Sequence, residues 1–242
     1  MTLPKIDVPT YDVTLPSNGK TVKIRPFLVK EEKLLLIAVE SKDNESIIKT
    51  TKQIINNCII SGNVDVEKLP FFDIDYLFIA LRAKSIGENI ELSFTCNNTT
   101  PEGNKCGGVF QADIDISNCQ IEKNENISMD ISLNNTLSIK MKYPTYTIMK
   151  EIMGNESILE KKIRVICNCV DRVVNGDKVY TTKDFSKEEL KDFVESLTQE
   201  QYKKLEEFVD ALPTFYIASK AKCPKCQYDH NIKYTDFTRF FQ

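Results

Sequence analysis

The sequence predicts an α+β fold made of two similar units, each a β-hairpin followed by helices and then a strand pair with two cysteines at its turn. Three observations predict it. Alternating apolar residues with turn words mark strand pairs at 11–28, 88–116, 127–141 and 214–234, and stripes at helical spacing mark segments between them. The word Asn155-Glu156-Ser157-Ile158 restates Asn44-Glu45-Ser46-Ile47 at an offset of 111. Cysteine pairs fall on equivalent turns: Cys96 with Cys106, and Cys223 with Cys226.

Taken in order, Tyr11, Val13 and Leu15 alternate, Pro16-Ser17-Asn18-Gly19 turns, and Val22 and Ile24 alternate again until Pro26. Asn-Gly supplies the positive φ angles of such a turn. A helix is expected over 29–41. A second runs from Asn44, as N-cap, to about residue 60, with Ile47, Ile48, Ile54, Ile55, Cys58 and Ile59 as its stripe and Ser61-Gly62 as its end. The third, over 71–83, carries Leu77, Phe78, Ile79, Ala80 and Leu81 in a row and is expected to be buried on several sides. After Gly87, strands over 88–95 and 109–116 hold the loop with Cys96 and Cys106.

The second half repeats this order. Strands over 127–133 and 137–141 flank Asn134-Asn135, and Pro144 follows as Pro26 does. At the offset of 111, Ile48 meets Leu159, Ile54 meets Val165, Ile55 meets Ile166, Asn57-Cys58 meets Asn168-Cys169, and Ile59 meets Val170. Residues 171–184 read as a hairpin or irregular insertion around Asn175-Gly176. Capping boxes, Ser186 with Glu189 and Thr198 with Gln201, open two further helices. A strand over 214–222 leads into the Cys223 turn, a return strand over 228–234 follows, and Phe237, Phe240 and Phe241 come last. These phenylalanines either fold onto the core or anchor a partner. A period this long points to two fused copies of one fold, where a solenoid would repeat every 20–50 residues or so. The expected halves are 1–123 and 124–242, forming one body.

The chemistry lies in the cysteines. Zinc takes four ligands in a tetrahedron, and two cysteine pairs on two turns supply them, so Cys96, Cys106, Cys223 and Cys226 are the expected ligands of a structural, zinc-ribbon-like site. Cys223-Pro224-Lys225-Cys226 has the spacing of a zinc knuckle. Cys96 and Cys106 have nine residues between them, so the polar insert 97–105 must bulge outward to leave the sulfurs adjacent. The alternative is that all four are ordinary reduced cysteines. His230, the sole histidine, or Cys119 can substitute as a ligand, although His230 is expected to point off its strand into solvent. Cys58, Cys167 and Cys169 read as packing residues. A thioredoxin-like redox pair would open a helix, whereas strands flank this one.

Composition narrows the function classes. A net charge of −3 and a pI near 5.5 give no basic stripe for nucleic acid. No apolar run reaches the roughly 18 residues of a membrane span, and the first ten residues lack the pattern of a signal peptide. A reduced, cytoplasmic setting is therefore expected. With one histidine, no Gly-rich phosphate loop and no Ser or Cys nucleophile motif, no enzyme and no small-molecule substrate are expected. Acidic pairs such as Asp73/Asp75 and Glu188/Glu189 read as helix N-terminal charges.

Several words resemble a known family. They are Lys23-Ile24-Arg25-Pro26-Phe27 followed by Lys30-Glu31-Glu32-Lys33, and Asp75-Tyr76-Leu77-Phe78 running into Leu81-Arg82-Ala83-Lys84-Ser85-Ile86-Gly87-Glu88. Ser196-Leu197-Thr198-Gln199-Glu200-Gln201-Tyr202, Leu212-Pro213, the Cys223 turn and Phe240-Phe241 add to them. Together, over residues 20–241, they resemble the T-even-type bacteriophage baseplate hub family, small proteins of contractile tails associated with hub assembly. The resemblance implies a non-enzymatic part in building or forming the baseplate, through contacts with other hub or tail proteins. It places the chain in the host cytoplasm during assembly, or in the virion tail. A zinc-ribbon module that binds nucleic acid or regulates is the alternative, and a redox enzyme using Cys223 and Cys226 a third.

Overall fold

The structure, a computed structural model, describes residues 6–101, 103–124, 127–146, 148 and 157–235. Asn155 and Glu156 of the repeated word, and Phe237, Phe240 and Phe241 of the tail, lie outside these. Among the described residues the chain is mixed α/β, with six α-helices and several small antiparallel sheets.

The first hairpin forms as its alternation requires: β1 (Tyr11–Thr14) pairs with β2 (Thr21–Ile24), putting Leu15, Val22 and Ile24 inside. Helix α1 (Val29–Glu40) follows, then α2 (Asn44–Cys58). Asp43, not Asn44, caps α2, its carboxylate accepting from the N–H groups of Glu45 and Ser46 at 3.2 and 3.1 Å. Both residue types suit the position, and the acid one step earlier reaches two orphan donors at the positive end of the helix. α2 also stops earlier than its stripe suggests. Ile59–Ser61 become strand β3 on the free edge of β2, where β-branched residues suit a pleated surface. Gly62, at φ +126°, ends it where a Cβ would stand 3.2 Å from the Val22 Cα.

Helix α3 (Phe71–Ser85) is buried on several sides, with Phe72, Ile74, Leu77, Ile79 and Leu81 all inside. Its first turn is tied to the first hairpin by Asp73, which accepts from the Ser17 backbone N–H at 3.0 Å and from the Ser17 hydroxyl. β4 (Asn89–Thr95) and β5 (Val109–Asp115) pair in full register, Asn89 opposite Asp115 and Thr95 opposite Val109. A short strand, β6 (Gln120–Glu122), comes next.

In the second half β7 (Asp130–Ser132) and β8 (Leu137–Met141) pair, and helix α4 (Ile158–Cys169) runs directly into β9 (Val170–Asn175). The segment 171–184 is a true hairpin: β9 and β10 (Lys178–Thr181) extend the sheet to the order β10-β9-β8-β7. α5 (Lys187–Glu195) and α6 (Gln199–Asp210) start with the expected capping boxes at Ser186 and Thr198, each worth about 1 kcal/mol. The final strands, β11 (Thr214–Lys222) and β12 (Asp229–Tyr234), leave this sheet and return to the first half. There β11 pairs with β6, Phe215 opposite Ile121, and the Ser219 hydroxyl donates to the Asp113 carbonyl at 2.9 Å.

The helix-to-strand joint occurs twice with one geometry. β2–β3 sets Lys23 opposite Ser61 and Ile24 opposite Ile59, skipping Ile60. β8–β9 sets Lys140 opposite Arg172 and Met141 opposite Val170, skipping Asp171. The next amide then bonds the last helical carbonyl in both, Arg25 to Cys58 at 2.9 Å and Lys142 to Cys169 at 2.6 Å.

Each half has its own core, around Leu35, Ile54, Ile55 and Leu77 in the first and Ile139, Ile166, Val194 and Leu205 in the second. A third cluster joins them: Ile79 and Ala83 of α3, Ala112 and Ile114 of β5, and Ile217 and Tyr234 of the last hairpin. Burying a side chain such as Ile217 contributes about 1.5–3 kcal/mol, so this seam is a substantial part of what holds β11 to the first half.

Candidate metal centre

Four sulfurs meet at the end of that seam. Cys96, Cys106, Cys223 and Cys226 have their Sγ atoms all within 4.8 Å of one another; the first three are buried and Cys226 is half-buried. The nine-residue insert between the first pair reaches this geometry by folding back on itself. Beyond the Thr95–Val109 pair, Cys96 N–H donates to the Gly108 carbonyl (2.7 Å) and Gly107 N–H to Cys96 (3.0 Å). Cys106 N–H then donates to Asn98 (2.8 Å) and Thr100 N–H to Asn104 (2.8 Å). The insert is a small irregular hairpin, so two cysteines far apart in sequence stand side by side at its base.

The second pair sits on the β11–β12 turn, where Cys223 N–H donates to Tyr228 (3.0 Å) and Gln227 N–H to Cys223 (2.9 Å). Lys225 crosses to the first pair and donates to the Cys106 carbonyl at 2.8 Å. Gly108 must be glycine: a Cβ there would lie 2.9 Å from the Lys225 Cβ and 3.0 Å from the Cys223 Sγ.

The donor set fits a tetrahedral cation. In a four-thiolate zinc site with Zn–S near 2.3 Å, sulfurs stand about 3.8 Å apart. Here Cys96–Cys226 is 3.6 Å and Cys106–Cys223 is 3.9 Å. Backbone N–H groups also point at the sulfurs from two residues on: Asn98 at Cys96, Gly108 at Cys106 and Tyr228 at Cys226. Such donors stabilise thiolates and fix their direction, as ligand-orienting groups around metals do. The Tyr228 N–H is the main cause that pulls Cys226 down to about 6. Burial pushes Cys96 up to about 12. At Cys106 the Gly108 N–H pulls downward, but burial and the Cys226 and Cys223 thiols outweigh it and the net direction is up. Cys96, Cys106, Cys223 and Cys226 would hold a divalent cation as thiolates, since a bound cation would favour the deprotonated form of each sulfur.

His230 does not point into solvent. Its Nε2 lies 3.2 Å from the Cys96 Sγ, and its ring stacks on Phe110 with centroids 4.6 Å apart. Strand alternation puts it on the same side of β12 as Ile232 and Tyr234, and β4–β5 covers that side through Phe94 and Phe110. The histidine thus sits beside the four sulfurs as a hydrogen-bonding neighbour. Cys119 packs against the Ile79 cluster, its thiol pushed up to about 12 by burial, with Asp75 adding to the shift. Asp75 itself is raised to about 7 by burial, so it is more than a simple helix-end charge. Cys58 and Cys169 are buried on their helix stripes and Cys167, beside one, is half-buried.

The chain is thus a mixed α/β protein of small antiparallel sheets, with four cysteines clustered where its last hairpin meets the β4–β5 hairpin. The family model described as T4 bacteriophage base plate protein matches residues 8–242, and the chain belongs to that family. No curated protein and no solved structure matched it. No helix among the described residues is long and apolar enough to cross a membrane.

Proposed function

We propose that this chain is a non-enzymatic part of the baseplate hub, a structural subunit or an assembly factor, acting through contacts with other hub or tail proteins. The observation that carries the reading is the four-sulfur cluster joining residues near 100 to residues near 225 within a baseplate-family chain. We take it as a structural zinc site held by Cys96, Cys106, Cys223 and Cys226. Four protein ligands leave no open position for a substrate, which favours a stapling role over catalysis.

In this reading the halves 1–123 and 124–242 are a duplicated unit closed into one body by the metal. The twice-used joint supports the duplication: Ile59 with Val170 and Ser61 with Arg172, each pair 111 residues apart, occupy equivalent register positions beside equivalent skipped residues. Nucleic acid, membrane and small molecules have no part in it.

Quantitative mass spectrometry of mature virions against infected-cell lysate tests the assignment. Stoichiometric presence in particles means a hub subunit. Presence in lysate, bound to baseplate intermediates but absent from virions, means an assembly factor. Association with neither would overturn the proposal.

A further inference from the structure

Helix α1 carries apolar residues on both its core side and its exposed side. Glu31, Leu35 and Ala38 face the core, and Glu31 is neutralised there by Arg25 at 2.8 Å. On the opposite side Val29 is 81% exposed, Leu36 43% and Ile37 53%, with Leu34 (43%) widening the patch. Apolar side chains exposed together on one helix face mark an interface.

The charges on that face say what covers it. Lys33 and Glu40 are exposed and bracket Leu36 and Ile37, and among the described residues neither has an ion-pair partner. Both lie the same distance from the midpoint between 36 and 37, about 5 Å along the axis at 1.5 Å per residue. A two-fold axis through that midpoint runs a second α1 antiparallel to the first. It sets Lys33 of each copy against Glu40 of the other, and Leu36 against Ile37. The face is self-complementary in charge and in its central apolar pair, as an isologous contact requires.

We propose that two copies of this chain associate through antiparallel α1 helices, with Leu36 and Ile37 at the centre and reciprocal Lys33–Glu40 pairs at the ends. The inference stands on α1 alone and is independent of the metal site. A contact built on one helix pair is smaller than a standard interface, so the association is expected in the micromolar range, about 1–100 µM.

Sedimentation equilibrium of the full chain over about 1–300 µM tests it. The expected results are a concentration-dependent dimer for the wild type and at least about tenfold weaker association for K33E and for E40K, since each reversal sets like charges together. An equimolar mixture of K33E and E40K should dimerise again, because a chain with acids at both positions then faces a chain with lysines at both. The double variant K33E/E40K should dimerise alone. A wild type monomeric throughout would overturn the proposal and leave the face to a partner of different sequence. A wild-type dimer indifferent to K33E, E40K and I37D would overturn it equally.

Discussion

Stripping the proposed zinc from the four cysteines should cost much of the chain's stability, and the size follows from where the sulfurs sit. A metal clip between Cys106 and Cys223 closes a loop whose ends are 117 residues apart. By the chain-entropy argument used for disulfides, closing so long a loop removes about 5 kcal/mol of denatured-state freedom. For a chain of this size, each kcal/mol shifts Tm by roughly 2–4 °C, so chelation should lower Tm by about 10–20 °C. The assay is thermal unfolding of protein purified under reducing conditions, with and without a strong zinc chelator, alongside elemental analysis. Cys106→Ser should show the low Tm without chelator, and Cys167→Ser, on the α4 stripe, should behave as wild type. Protein that holds no zinc, or that loses about one zinc per chain with Tm unmoved, would refute the reasoning.

Two more perturbations follow from neighbouring geometry. Gly108→Ala places a Cβ 3.0 Å from the Cys223 Sγ and 2.9 Å from the Lys225 Cβ; zinc affinity measured by competition with a chromophoric chelator should fall at least tenfold, and unchanged affinity would show that the turns yield freely. Glu31 is almost fully buried and takes hydrogen bonds from Arg25 (2.8 and 3.2 Å) and from the Leu28 N–H (2.6 Å). Losing such a buried charge partner costs about 3 kcal/mol, so Glu31→Gln should lower urea stability by about that amount at neutral pH. Burial pushes the Glu31 carboxyl up, but the bonds from Arg25 and Leu28 and the Arg25 charge outweigh it, and the net direction is down. Its contribution is therefore full above the ordinary glutamate value of about 4.3 and is lost as pH falls through the lowered value. The gap between wild type and Glu31→Gln should close in acid, and a gap that widened there would contradict the assignment.

What the sequence made legible was what is periodic or locally capped. The α2, α5 and α6 stripes, the boxes at Ser186 and Thr198, and the hairpin alternations state a local geometry in a few adjacent residues. The four cysteines were legible by type and by their equivalent turns. Long-range pairings were not: β3 and β6 are three residues long, too short to show a period, and β6 finds its partner in β11, far along the chain. His230 was misplaced for the same reason. Its strand parity was readable, but which sheet covers that face depends on β4–β5 lying beneath it. Asp75 looked like one more helix-end acid, and only the nearness of Cys119 and Tyr146 reveals its half-buried setting.

The return of β11 and β12 to the first half sets an order of events during synthesis. A ribosome that has released everything through α6 has delivered β6 without its strand partner and Cys96 and Cys106 without Cys223 and Cys226. The second half can collapse on its own core by then, but the first cannot be sealed until the β11–β12 hairpin emerges, since the seam and the sulfurs both need it. A chain terminated before that hairpin therefore advertises itself, with a bare strand edge and half a metal site, to proteases and holdases. The seam and the four sulfurs thus share one requirement, and residues 214–234 supply it to both.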